Sequence, residues 1–242
     1  AMLRGEPQRA RSLIGTALAV LDELRSREEN EALRAGPVLE EGLANVLLAR
    51  IALLSKRYRE AHELLASEIE TLRTIEAGEM LVEVLAEDIA VLIALRELEG
   101  AAAEAAEMEA ILLGRRMPSL DALAARSRGL IAAEGDAATA LEHLERSRDL
   151  LDEASSPWPF ELARTLLSLG SVQLRARQRR AARASLERAL TIFEELGAPV
   201  WAESARAELS RIGGRASRSG ELTETERRVA ETVAAGHSNA EA

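Results

Sequence analysis

The residues that could do chemistry in this chain are few, and their spacing argues against most of it. There is one lysine, Lys56, set in Ala-Leu-Leu-Ser-Lys-Arg. A phosphate-binding loop needs a glycine-rich turn ending in lysine, and no glycine precedes this one closely enough. His62, His143 and His237 are too dispersed to form a local metal-ligand motif, and cysteine, the usual partner of histidine at zinc, is absent. No G-x-S-x-G segment presents a nucleophilic serine. The paired acids Glu40-Glu41 and Glu194-Glu195 read as solvated helix faces and termini. The cluster Arg175-Ala-Arg-Gln-Arg-Arg-Ala-Ala-Arg183 has the composition of a phosphate contact, but it falls at a turn between helices. There, arginines serve helix carbonyls and neighbouring glutamates first. No catalytic residue, metal ligand or bound cofactor is expected.

What the chain has instead is punctuation. Near its end, Thr223 and Glu226 stand at capping-box spacing, so Thr223 caps a helix whose Glu226 reaches back to the cap amide. Val229 and Val233 follow on one face, and Gly236 closes the helix. Ser238 and Glu241 repeat the spacing, so a second helix is expected from Asn239. Together with Leu222 these residues resemble the opening of the LuxR-type helix-turn-helix, L-T-x-x-E followed by G-x-S-N-x-E. Glu224 stands where that family commonly has proline, and a glutamate suits a helix N-terminus. The resemblance implies a recognition helix beyond residue 242, and DNA contact only through the complete parent protein.

A second resemblance lies just upstream. Pro159-Phe-Glu-Leu-Ala-Arg-Thr-Leu-Leu-Ser-Leu-Gly170, the arginine-rich stretch, Phe193-Glu-Glu-Leu-Gly-Ala198, Trp201-Ala and Ala207-Glu-Leu209 are similar to the region ahead of the DNA-binding domain in large ATP-binding, maltose-activator-like LuxR-family regulators. That likeness spans residues 157 to 242. It implies a sensor array that binds an effector, either a small molecule or a protein, with an ATP-binding module elsewhere in the parent and no cofactor in this fragment.

Composition supports an array of helices. Hydrophobic residues make up 47% of the 242 residues but aromatics only 2%, a vocabulary of Ala, Leu, Glu and Arg with too few β-branched and aromatic side chains for an extensive sheet. The predicted class is all-α, with tetratricopeptide-like antiparallel helix pairs stacked into a curved superhelical array. Gly170 takes the small-residue position of such a repeat, and Ala182, Leu186 and Ala189 take its small, large and small packing positions. Ala140, Leu144 and Ser147 repeat this after Gly135-Asp136, and Ala61 and Leu65 repeat it after Lys56-Arg57. A fourth unit near Gly100 is assigned to Ala106, Ala110 and Leu113, so the marker alanines 61, 106, 140 and 182 are unevenly spaced. Trp201 and Leu209 are placed on a final covering helix, and Trp158 as a staple at a helix entry.

Helices are expected near 9–34, 38–54, 58–75, 79–97, 101–114, 119–133, 137–154, 160–176, 179–196 and 199–212. The domains follow as a repeat domain over 1–214, a linker over 215–220 and the start of a helix-turn-helix over 221–242. The formal net charge of −10 is concentrated before residue 163. That acidity argues against a nucleic-acid surface over most of the chain. No membrane span or signal segment is present in the sequence, so a cytoplasmic location is expected. Ala1-Met2 reads as a vector remnant ahead of a chosen start. A homo-oligomer is compatible with all of this, and a free-standing interaction scaffold is the alternative function.

Overall fold

Proline and glycine set the helix starts. Pro118, Pro159 and Pro199 each occupy the first helical position, where the missing amide hydrogen costs nothing and φ is already helical. The computed structural model describes residues 42, 44–53, 55–153 and 158–212. Residues 44–53 are helical, followed by α1 (Tyr58–Thr74), α2 (Gly78–Leu95), α3 (Leu98–Leu112), α4 (Pro118–Ala132), α5 (Ala137–Glu153), α6 (Pro159–Arg175), α7 (Arg179–Glu195) and α8 (Pro199–Ile212). No strand occurs among the described residues. The expected helix at 9–34, residues 38–41, 43 and 54 of the one expected at 38–54, the linker and the 221–242 motif (Leu222, Thr223, Glu226, Gly236, Ser238, Asn239, Glu241) lie outside the described residues. Two compact units divide the chain, Ala1–Ile212 and Gly213–Ala242; the first is described here.

The turns between helices share one hydrogen bond. The amides of Arg57, Ala77, Glu97, Gln178 and Ala198 each reach back five residues, to the carbonyls of Ala52, Leu72, Leu92, Gln173 and Phe193. This is the Schellman closure, and it requires a left-handed residue just before the donor. Lys56, Glu76, Arg96 and Arg177 adopt that conformation at φ between 55° and 67°, and Gly197 at 63°. At Gly135-Asp136 the closure differs. The Asp136 carboxylate caps α5 instead, accepting from the amides of Ala138 at 2.9 Å and Thr139 at 3.2 Å.

Each short turn folds a helix back on its predecessor, giving antiparallel pairs with a repeated contact. On α1, α3, α5 and α7 the first buried residue after the turn is Ala61, Ala101, Ala140 and Ala182. Each donates its amide to the residue four before it. The next buried apolar positions are Leu65, Ala105, Leu144 and Leu186, and the helices end their buried stripe at Leu72, Leu112, Leu151 and Phe193. Ala189 and Ser147 are buried between them.

Around Gly100 the register differs from the expected one. Ala106, Ala110 and Leu113 face solvent, Leu113 at 84% exposure, while Ala101, Ala105, Met108 and Leu112 are buried. In Gly100-Ala-Ala-Ala-Glu-Ala-Ala-Glu-Met-Glu-Ala the alanines fall on every face, so periodicity alone does not choose among them. The leucine and methionine do. With Ala101 as marker, successive repeats are separated by 40, 39 and 42 residues, a nearly regular array with a period longer than the tetratricopeptide's roughly 34 residues.

Small residues permit the close approach. A Cβ placed on Gly170 would stand 2.5 Å from Leu186 Cγ and 3.3 Å from the Ala182 carbonyl oxygen. On Gly129 it would stand 2.7 Å from Leu144 Cγ and 3.3 Å from the Ala140 carbonyl oxygen. The same joint is built twice, and Gly129 is the copy that sequence patterning passes over. Even-numbered helices also touch one another in succession, α2 with α4, α4 with α6, and α6 with α8. Among the described elements, α1, α3, α5 and α7 have no such contacts with one another. The even helices therefore form the inner layer of the array, and Arg50 of residues 44–53 pairs with Glu87 of that layer.

These joints are directly testable. Gly170→Ala gains about 1 kcal/mol of helix propensity but overpacks Leu186, an effect of about 1–3 kcal/mol. Urea denaturation should show a net loss of stability. Gly135→Ala, where an added Cβ meets nothing within 4 Å, should be neutral or stabilising.

Candidate functional site

α2 is apolar on nearly every side, with ten buried residues, yet it carries Glu87 and Asp88 in its middle. Both carboxylates are themselves buried, unlike exposed Glu79 and Glu83 of the same helix, so each must find a partner.

Glu87 finds them across the inner layer. Arg164 of α6 grips it with two nitrogens, at 2.5 Å and 3.1 Å, and Arg50 from the helical stretch 44–53 donates to it at 2.7 Å. Arg164 also reaches Glu161, one turn earlier on α6, at 3.2 Å, and Arg126 of α4 pairs with the other side of Glu161. Arg50 stands 3.8 Å from Glu161. Five charged side chains from four helical segments thus close one cluster. Burial opposes ionisation of Glu87, but the fields of Arg164 and Arg50 prevail and hold its carboxyl far below the usual range. Glu161 is lowered in the same way, against its burial, by Arg164 and Arg126. Burial pulls Arg126 down, and Glu161 opposes the fall.

The cluster meets an aromatic group at its α8 end. The Arg164 guanidinium lies 5.3 Å from the Trp201 ring centroid and 6.0 Å from that of Phe160, while Arg50 lies 6.0 Å from Phe160. Phe160, Phe193 and Trp201 contact one another with centroids 5.6–6.0 Å apart. Three of the chain's five aromatic side chains therefore gather here.

A second polar group sits between α1, α2 and α3. His62 Nδ1 lies 2.9 Å from both oxygens of fully buried Asp88, and Glu104 hydrogen-bonds Asp88 from α3. Burial, then repulsion by Asp88, pushes the Glu104 carboxyl up to about 9, with Arg73 countering and Glu107 adding to the rise. Asp88 is raised too, chiefly by burial and further by Glu97, against its bond to His62. Burial and the neighbouring Asp88 thus favour the protonated form of Glu104.

Of the residues singled out by patterning, Ala61, Leu65, Ala140, Leu144, Gly170, Ala182, Leu186 and Ala189 are buried at helix-pair contacts. They shape the array and carry no chemistry. Trp158 caps the start of α6 and packs against the N-terminal core. It also lines a groove of about 240 Å³ with Glu79, Glu83, Met117, Pro118, Ser119 and Leu120. Within the basic cluster, Arg175 donates to the Ala133 carbonyl of the preceding repeat at 3.1 Å, a structural use. Patterning missed Arg50, Glu87, Arg126, Glu161 and Arg164. The one local signal was the acidic pair in the middle of the apolar run of α2.

Among the described residues no group of side chains is arranged to hold a metal, and no helix is long and apolar enough to cross a membrane. No protein-family model matches the chain, and no curated protein sequence does. Among solved structures it is similar to the crystal structure of BtubC (BKLC) from P. vanneervenii, at 18% sequence identity and a TM-score of 0.52. The match covers 90% of this chain and 80% of that one. At that identity the likeness concerns the fold alone, an all-α array of helix pairs.

Two measurements test the electrostatics. Arg164→Met strands buried Glu87 and Glu161 with fewer partners and should cost about 3 kcal/mol in denaturant unfolding. Arg188→Met, which breaks the exposed pair with Asp152, should cost about 0.5 kcal/mol or less. For Glu104 the folded state binds the proton more tightly than the unfolded state. Its contribution is therefore complete below the ordinary value of 4.5 and is lost as pH rises toward 9. Glu104→Gln should flatten that decline; an unchanged pH profile of the melting temperature would contradict the assignment.

Proposed function

We propose that this chain is the regulatory part of a LuxR-type transcriptional regulator. The helix-repeat array binds an effector, a small molecule or a protein, and relays that state to a DNA-binding domain whose first elements are residues 221–242. The reading is carried by the order of the parts: a repeat array followed directly by two capping boxes bracketing Gly236. The inner-layer cluster supports a relay, since it links residues 44–53, α2, α4 and α6 and touches Trp201 of α8, the helix immediately ahead of residue 213. In this reading the protein is cytoplasmic, has no enzymatic activity of its own and engages DNA only through the complete parent. The second reading, a free-standing scaffold, rests on the array alone and has no use for the capping boxes.

The parent reading frame decides between them: an ATP-binding module upstream and a recognition helix downstream are expected. In mobility-shift assays the present chain should show no sequence-selective DNA complex, because base reading needs the recognition helix. Weak association through Arg175–Arg183 should vanish as salt rises. A salt-resistant, sequence-selective complex of this chain would overturn the assignment.

A further inference from the structure

We propose that the inner-layer ionic cluster is a binding site for an oxyanion, a carboxylate or phosphate group, taken up between Arg50 and Arg126. The cluster holds three guanidinium groups against two carboxylates, so it carries one net positive charge inside the array. Two of its donors are buried without an acceptor, Arg126 Nη2 and Arg50 Nε. The Arg126 side chain is only 2% exposed. An unmatched buried guanidinium donor is costly, and its natural complement is a group with several oxygen acceptors and a negative charge. The two unmatched arginines flank one carboxylate, Glu161, which bonds Arg126 on one side and stands 3.8 Å from Arg50 on the other. One anion there would bring the cluster to neutrality.

No ion pair from another carboxylate of the described residues supplies it. Glu83, one turn before Glu87 on α2, feels the fields of Arg50 and Glu161 but forms no ion pair among the described residues. Its carboxyl is raised by partial burial and by repulsion from Glu161. Access is from the Arg50 side, where the side chain is 26% exposed, beside half-buried Phe160. An anion bridging Arg50 to Arg126 would tie residues 44–53 to α4. Its use as an effector site rests on the regulator reading, whereas its existence does not.

Thermal unfolding of the chain tests this with two probes, inorganic phosphate and succinate, each against sodium chloride at equal ionic strength. The expected result is a saturable rise in Tm with at least one probe. In Arg126→Met the apparent Kd should weaken by about tenfold or more, as loss of a charge-assisted pair requires. Phosphate alone identifies a phosphate group as the ligand, succinate alone a carboxylate, and both a general oxyanion site. If Arg126→Met does not fold, Arg50→Met, at the partly exposed mouth, gives the same readout. No saturable response in the wild-type chain, or an undiminished response in the variant, overturns the proposal. The measurement needs no DNA, so its failure leaves the regulator reading standing, and a parent frame without a recognition helix would remove that reading without touching the site.

Discussion

With almost no aromatic bulk to fill a core, the helices of this array have to come close, and they do so by seating a leucine over a residue that lacks a side chain. Leu144 covers Gly129 and Leu186 covers Gly170 with nearly the same geometry, down to the 3.3 Å approach of the Ala140 and Ala182 carbonyls. That contact sets the distance between paired helices. In the last of these pairs the same close approach is joined by the short left-handed turn at Arg177, and the short turn fixes the start of the following helix. A larger residue at the joint would change the pair spacing, and every later repeat inherits the spacing of the one before.

The inner layer obeys a different rule. Where the even helices crowd together, the chain places Glu87, Arg126, Glu161 and Arg164 in addition to leucine and alanine. A buried ionic network is a poor source of stability, because desolvation offsets most of the attraction. Its advantage is direction: a guanidinium pairs with a carboxylate in one geometry, while apolar faces slide. Arg164 satisfies Glu87 and Glu161 only if α2 and α6 keep their present offset. The network thus fixes the relation of repeats that are far apart in sequence, Glu87 and Arg164 being 77 residues apart.

This difference explains what could be read from the sequence. The helices and their ends are local facts, written in Pro118, Pro159, Pro199 and in leucines three and four apart, and the structure places eight helices within three residues of the predicted bounds. The register of α3 failed because Ala102, Ala103, Ala105 and Ala106 offer the same small side chain on all faces. The neighbours on α2 and α4 then decide which alanines go inward. The ionic cluster is not local at all. Each of its members, seen in its own helix, looks like a solvated charge, and only the stacking of four helical segments brings them together.

The two polar groups also divide the array's responses. The His62–Asp88–Glu104 group joins three consecutive helices and contains a carboxyl raised well above its ordinary value, so its state follows pH. The inner cluster spans the layer and remains ionised, since arginine keeps its charge even where Arg126 is lowered by burial. What can alter the inner cluster is therefore another charged group rather than a proton. Trp201 makes such an alteration consequential, because it packs on Phe193 of the last pair and on the Arg164 guanidinium at the same time. A change in the partners of Arg164 has to be felt at α8.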